Sequence, residues 1–235
     1  MPGPEEWEII RLSLKVSAVA VGATLPVAFA LAWLLARGRF PGKIFLDAVV
    51  HLPLVLPPVV TGWLLLLAFG NNGPVGRWLS DWLGLTFMFR WTGAALAAAV
   101  MALPLMVRAM RISIEAVDRR LEDAAMTLGA SRMRTFRTIT LPLATPGLLA
   151  GVVLGFARSI GEFGATITFV SNIPGETRTL PIAIYGALQI PGSEAQVMRL
   201  SLIAVALSLA ALIASEVLAR RSGQGQSQGP GSHVL

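Results

Sequence analysis

Residues 122–142, EDAAMTLGASRMRTFRTITLP, form the longest charge-bearing interruption in an otherwise apolar chain. Acidic residues come early in residues 115–128, where they favour a helix because they oppose the positive end of its dipole. Gly129 can adopt left-handed backbone angles without a steric cost, so it predicts a turn. Residues 131–138 predict a second, arginine-rich helix, which residues 141–142 (Leu-Pro) are expected to end. The pattern predicts a basic helical hairpin at a membrane surface, suited to docking on another protein.

The rest of the chain has the composition of a membrane protein. Of its 235 residues, 54% are hydrophobic and 14% are charged, and the mean hydropathy is +0.69, which is too apolar for a soluble domain of this size. Uncharged runs that approach the ~20 residues needed to cross a bilayer cover residues 16–36, 48–76, 91–107, 138–157 and 200–215. Because these runs do not alternate as barrel strands do, we predict an all-α polytopic membrane helix bundle with about five transmembrane helices.

The net charge of +6 could suggest nucleic-acid binding, but the placement of the basic residues indicates membrane topology instead. Most of them follow the first, third and fifth apolar runs and so share one side of the membrane: Arg37, Arg39, Lys43, Arg108, Arg111, Arg119, Arg120, Arg132, Arg134, Arg137, Arg220 and Arg221. The positive-inside rule makes that side cytoplasmic. We therefore expect a cytoplasmic C-terminus and an outside N-terminus, with residues 1–8 as an exposed arm and loops 71–90 and 171–199 also outside.

The spacing within the charged stretch resembles a known motif. Residues 123–125 (DAA), three residues, Gly129, nine residues and residues 139–142 (ITLP) are similar to E-A-A-x3-G-x9-I-x-L-P. This is the EAA loop of permease subunits of binding-protein-dependent ABC importers. One position departs from the motif, since Asp123 replaces its glutamate and Glu122 stands directly before it. The alternative is an ordinary amphipathic pair of surface helices.

In that family the loop forms a coupling helix that sits in a groove of a separate ATPase subunit, which binds ATP and Mg. The resemblance therefore implies that residues 115–142, called segment 115–142 below, dock on such a subunit. The residues expected to carry the docking are Glu122, Asp123, Ala124, Ala125, Gly129, Ala130, Ser131, Arg132, Arg134, Phe136, Ile139, Leu141 and Pro142.

Proline and glycine interrupt two of the predicted spans. Residues 51–62 read HLPLVLPPVVTG and residues 157–166 read ARSIGEFGAT; in the second stretch Arg158 and Glu162 are four apart and can pair on one helix face. Breaks at membrane depth either line a pathway or are packing features. The acid of Glu162 would repel an anion, which favours a structural pair. The pathway or gate candidates are Pro57, Pro58, Thr61, Ser159, Gly161, Glu162, Gly164 and Thr166.

These two stretches and residues 171–189, SNIPGETRTLPIAIYGALQ, resemble the molybdate permeases, in the group that also includes sulfate and thiosulfate permeases. The resemblance covers about residues 40–219. It implies a type I ABC importer permease of a prokaryotic inner membrane that moves molybdate, and also tungstate, by alternating access. It further implies a permease homodimer, two ATPase subunits and a periplasmic oxyanion-binding protein. Alternatives are a sulfate or thiosulfate permease, or a free-standing channel or scaffold.

The chain offers little for chemistry of its own. It has no GxxxxGK[ST] phosphate loop, no cysteine and two histidines, so we expect no enzyme activity, no metal site and no cofactor bound by this chain. Residues 1–221 are expected to form one transmembrane domain, and the Gly, Ser and Gln-rich residues 222–235 a disordered tail. Gly147, Gly151 and Gly155 recur every four residues, which predicts close packing against another helix of the same or a paired subunit.

Overall fold

The computed structural model describes residues 3–224, and these residues form helices joined by short links, with no strand among them. In chain order the helices are α1 (Pro4–Arg37), α2 (Lys43–Val55), α3 (Pro58–Phe69), α4 (Pro74–Leu83), α5 (Trp91–Ala116), α6 (Arg119–Thr127), α7 (Arg132–Thr135), a π-helical turn (Phe136–Thr140), α8 (Leu141–Ile160), α9 (Gly164–Val170), α10 (Leu180–Leu188) and α11 (Glu194–Gln224). Residues 222–224 of the predicted tail (residues 222–235) belong to α11, and residues 225–235 lie outside the described part.

Four helical stretches are long and apolar enough to cross a membrane: α1, α5, the run Arg132–Ile160 and α11 over Glu194–Ala214. Helices α2 and α3 pass the same test as a pair, although they are bent by 116° where they meet. Counting that pair as one span gives five, in agreement with the sequence. The bend follows from Pro57 and Pro58, because neither residue has an N–H to continue the helical hydrogen bonding of α2.

Three apolar clusters follow one another along α1. Ile9 lies in a cluster with α10 and α11, Val16 packs with α3, α5 and α9, and Leu35 packs with α2, α5 and α8. The start of α5 lies in the second cluster and its end in the third, so α1 and α5 run side by side in the same direction. Segment 115–142 consequently lies at the Arg37 end of the bundle.

The glycine face of α8 packs against α5 of the same chain. A Cβ at Gly155 would lie 2.6 Å from the sulfur of Met106, and one at Gly147 would collide with Ser113. Close packing through small residues, predicted from their spacing, is therefore confirmed. It holds the start of α8, and with it the end of segment 115–142, against α5.

Two predicted helix boundaries within segment 115–142 are wrong. The helix expected over residues 115–128 is divided, because α5 ends at Ala116 and Asp118 then caps α6, its Oδ1 accepting the Arg120 N–H at 2.9 Å. The residues Leu-Pro at 141–142 do not end a helix. The π-helical turn just before them accommodates the missing N–H of Pro142, so the chain stays helical from α7 into α8.

The exposed arm expected over residues 1–8 is correct only in part, and residues 1–2 lie outside the described part. Pro4, Glu5, Trp7 and Glu8 are exposed, but they belong to a helix and not to a free arm. Helix α1 begins at Pro4, and Glu6 is only 4% exposed. The Glu6 Oε1 accepts hydrogen bonds from Nε and Nη2 of Arg199, at 3.0 and 2.9 Å. A glutamate that looks like part of a solvated acidic run is therefore folded against the start of α11.

Candidate functional site

Segment 115–142 forms a helical hairpin whose turn has the expected geometry. Gly129 has φ +89°, which confirms the turn, since side chains disfavour that conformation. Ser131 begins α7 by accepting the Arg134 N–H on its Oγ at 3.3 Å, a usual role for serine at a helix start. Gly129 and Ser131 thereby separate α6 from α7.

One side of this hairpin faces α1 through polar contacts. The Oε1 of Glu122 accepts a hydrogen bond from Arg37 Nη2 at 2.9 Å and another from Thr140 Oγ1 at 2.6 Å. Arg37 Nη2 also donates to the carbonyl oxygen of Val117 at 3.4 Å. The side chains of Arg37 and Glu122 are 13% and 17% exposed. Glu122 therefore faces the interior of the protein, although the sequence placed it with the docking residues.

Aromatic side chains also contact α1 on this side of the hairpin. The ring centroid of Phe136 lies 5.0 Å from that of Trp33, in an edge-to-face arrangement, and 6.2 Å from that of Phe29. Both distances are favourable for aromatic pairs. Between α1 and the hairpin lies a cleft lined by Trp33, Glu122, Met126, Arg132, Thr135, Phe136 and Thr140. Phe136, also predicted as a docking residue, is half-buried against α1.

The other side of the hairpin is open. Exposed predicted docking residues are Asp123, Ala124, Gly129, Ser131, Arg132, Arg134 and Pro142, whereas Ala125, Ala130, Ile139 and Leu141 are half-buried. Of the exposed residues, Arg132 also lines the cleft towards α1. The structure adds two large apolar side chains that the sequence did not single out, Leu121 at 50% exposure and Leu128 at 90%; Met133, between Arg132 and Arg134 in the sequence, is 59% exposed. The leucine directly before Gly129 could have been noticed, because a residue at a tight turn seldom finds a core to enter. Arginines and exposed apolar groups together make this face suitable for a protein partner.

The two interrupted spans meet at their breaks. A Cβ on Gly164 would lie 2.8 Å from Cβ of Pro58, and one on Gly62 would lie 2.9 Å from Cα of Ala165. The first residues of α9 therefore cross the first residues of α3 at nearly backbone contact. The sequence predicted both breaks, but it gave no sign that they pack against each other.

The predicted pair of Arg158 and Glu162 is confirmed. Arg158 Nη1 lies 2.6 Å from Oε2 of Glu162, and Oε1 of Glu162 accepts the N–H of Ala165 at 2.8 Å. Since α8 ends at Ile160, Glu162 lies in the break itself and joins the last turn of α8 to the first turn of α9. Glu162 is 3% exposed, so its charge is buried and paired.

Several hydroxyl groups near these breaks are buried. Thr61, Ser159 and Thr166 are 5%, 4% and 2% exposed. Within the described residues, the hydroxyls of Thr61 and Ser159 have no hydrogen-bond partner, although buried polar groups are usually paired. These two groups can accept or donate a hydrogen bond without carrying a charge.

Solved structures with a similar fold include ABC transporters. One titled as inward-facing conformations of the MetNI methionine ABC transporter is 18% identical, with a TM-score of 0.71 over 94% of this chain and 99% of the other. A bacterial alginate ABC transporter gives 0.72 at 18% identity, over 93% and 80%. The predicted fold class, an all-α membrane helix bundle of the type I ABC importer permease kind, is confirmed.

The chain belongs to the family described as binding-protein-dependent transport system inner membrane component, which it matches over residues 25–224. It is 60% identical over 217 residues to the molybdenum transport system permease protein ModB of Escherichia coli (strain K12), covering 92% of this chain and 95% of the relative. The ModB protein of Haemophilus influenzae is 57% identical over 95% of this chain and 98% of its own length. The sulfate transport system permease protein CysT of Escherichia coli is 36% identical, over 95% and 83%. The resemblance to the molybdate permease group is therefore confirmed.

Proposed function

We propose that this chain is the transmembrane permease of an ATP-driven importer that moves molybdate, and also tungstate, across the inner membrane. The observation that carries the proposal is the difference between 60% identity to a molybdenum permease and 36% identity to a sulfate permease, both over most of the chain. Transport proceeds by alternating access, in which the helices open first to one side and then to the other.

The proposed driving force comes from a separate ATPase subunit docked on the open side of segment 115–142. Support comes from Leu128 and Met133, which are exposed beside Arg132 and Arg134 at the same end of the bundle. Large apolar side chains next to arginines are favourable in an interface and unfavourable in water. ATP and Mg²⁺ bind to that subunit, and this chain holds no cofactor and carries out no hydrolysis.

The proposed pathway passes the point where the two broken spans meet. The candidates there are Pro57, Pro58, Thr61, Ser159, Gly161, Glu162, Gly164 and Thr166. The unpaired hydroxyls of Thr61 and Ser159 suit an oxyanion that must be held weakly and released. Arg158 neutralises Glu162, so the buried acid does not repel the anion as a free carboxylate would. Gly62 and Gly164 allow the close contact on which the crossing depends, because a Cβ on Gly164 would collide with Pro58 and one on Gly62 with Ala165.

The proposed assembly is a homodimer of this chain with two ATPase subunits on the cytoplasmic side and an oxyanion-binding protein on the periplasmic side. The N-terminus faces outward and the C-terminus faces the cytoplasm, as the distribution of arginine and lysine favours. Large side chains on α2 remain uncovered, including Ile44 at 86% and Val55 at 82% exposure. Such a face suits lipid or a second copy of the chain.

ATP hydrolysis by the whole assembly in lipid vesicles tests the substrate. The binding protein is loaded in turn with molybdate, tungstate or sulfate, and the stimulation of hydrolysis is measured. We expect stimulation by molybdate and tungstate and none by sulfate. Stimulation by sulfate alone would support the second candidate, a sulfate permease, which the 36% identity to CysT keeps open. No stimulation by any of the three would contradict an oxyanion substrate.

A further inference from the structure

One face of α1 carries three large side chains at intervals of four residues, and all three contact segment 115–142. Phe29 and Trp33 pack on the ring of Phe136, and Arg37 bonds to Glu122. Residues four apart lie above one another along a helix. The last two turns of α1 therefore present a continuous stripe to the segment, aromatic in its first two positions and cationic in the third.

Arg37 joins more elements than any other residue of this stripe. Its Nη2 bonds to Glu122 in α6 at 2.9 Å and to the carbonyl oxygen of Val117, at the break between α5 and α6, at 3.4 Å. The same carboxylate oxygen of Glu122 accepts the hydroxyl of Thr140, in the π-helical turn, at 2.6 Å. One guanidinium and one carboxylate thus connect the ends of α1 and α5 to α6 and to the start of α8.

This contact is sheltered from water. The Arg37 and Glu122 side chains are mostly buried, and Thr140 is 2% exposed. A sheltered pair with further hydrogen bonds keeps a defined geometry, whereas an exposed pair is screened and mobile. Loss of either partner leaves the other charge unpaired in a site with little water.

The two adjacent acids of α6 face different surroundings. Consecutive residues of a helix point about 100° apart, so when Glu122 faces α1, Asp123 faces solvent, and Asp123 is exposed. Asp123 is therefore available to a docked partner, whereas Glu122 is occupied by Arg37. Asp123, at the motif position, and Glu122, directly before it, therefore have different roles in this chain.

We propose that Arg37 is a positioning residue that makes the inner end of α1 move together with segment 115–142. The proposal rests on the docking of an ATPase subunit described above. Helix α1 has 34 residues and so extends about 50 Å, as far as the contact of Glu6 with Arg199. A displacement of the segment by the ATPase is passed through Arg37 and Phe136 to α1, in addition to α5 and α8.

The test compares Arg37→Gln with Arg39→Gln in the complete assembly, reconstituted in vesicles with its binding protein. Arg39 lies two residues further on, is exposed, and makes no side-chain bond within residues 3–224, so its variant removes the same charge without touching Glu122. We measure co-purification of the ATPase subunit, ATP hydrolysis and the molybdate taken up per ATP. In Arg37→Gln we expect the ATPase to remain bound and the uptake per ATP to fall about tenfold, which is a usual size for coupling between sites. Arg39→Gln should behave as the unaltered chain.

The exchange Arg37→Glu with Glu122→Arg provides the second variant. It restores the charge pair, and recovery of uptake per ATP above that of either single change would support the proposal. Unchanged uptake per ATP in Arg37→Gln, with the ATPase still bound, would overturn this inference and leave the docking proposal intact. Failure of the unaltered chain to retain the ATPase subunit would overturn both.

Discussion

Helix α1 is held at both of its ends by an arginine–glutamate pair, and the two pairs are built differently. At one end Arg37 and Glu122 are sheltered to a similar degree, 13% and 17% exposed. At the other end the side chain of Glu6 is 5% exposed and that of Arg199 is 51% exposed. The first pair shares its carboxylate with Thr140 and lies beside stacked aromatic rings. The second has one buried partner and one partner in contact with solvent.

This difference indicates different roles. The Glu6 pair attaches α1 to α11 directly, so it fixes the relative position of two helices. The Arg37 pair attaches α1 to a hairpin whose opposite side is open, so a partner bound there can move it. Uncovered charge at Arg199 can be hydrated if the contact breaks, whereas charge at either Arg37 or Glu122 cannot be hydrated easily. Changes at the two pairs should therefore have different effects on stability and on transport.

The largest effect on stability is expected for Arg199→Gln. This change leaves the buried carboxylate of Glu6 with only the N–H of Gly3, at 2.9 Å, and should lower the free energy of unfolding by about 2 kcal/mol. Glu6→Gln should cost about 1 kcal/mol, because the half-exposed arginine can be solvated. Thermal unfolding of the purified chain, monitored by tryptophan fluorescence, shows which of the two variants loses more stability. Equal losses would remove the asymmetry on which the comparison rests, and uptake per ATP should change in neither variant.

A smaller effect is expected for Leu128→Ser. This change should weaken binding of the ATPase subunit without altering the stability of the chain itself. The side chain is 90% exposed, so its removal leaves no cavity and the unfolding temperature of the isolated chain should not move. Affinity for the ATPase subunit should fall about tenfold, the usual consequence of losing an apolar anchor in an interface. Binding is measured with the purified subunits in detergent. Leu154→Ser, at a leucine of α8 that is 38% exposed and lies outside segment 115–142, is the control for the loss of a leucine and should leave binding unchanged.

The smallest effect is expected for Glu5→Gln. Glu5 bonds to Arg178 at 3.2 Å, but its side chain is 65% exposed, and exposed pairs contribute about 0–1 kcal/mol. The change should leave the unfolding temperature nearly unaltered, in contrast with the changes at Glu6 and Arg199. A loss as large as that of Arg199→Gln would show that the first turn of α1 is held as a unit and not through Glu6.

Local features of the chain could be predicted from the sequence because the interacting residues are close along it. The pair of Arg158 and Glu162 follows from their four-residue spacing, the turn at Gly129 from the freedom of glycine, and the tight face of α8 from the spacing of its small residues. The π-helical turn at Phe136–Thr140 had no such signal, since its residues are compatible with an ordinary α-helix. The expected helix end at Pro142 was wrong for that reason.

The sequence by itself determined that this chain is an all-α membrane protein with a charged segment whose spacing resembles the EAA loop, because hydropathy, charge placement and motif spacing are read along the chain. Only the tertiary structure decided which of the predicted docking residues are exposed. Glu122 and Asp123 are neighbours with the same charge, yet one bonds to Arg37 and the other is exposed. Contacts such as Arg37 with Glu122, 85 residues apart, and Glu6 with Arg199, 193 residues apart, depend on how the helices pack side by side. Helix packing is set by the whole buried surface, and no single stretch of sequence contains it.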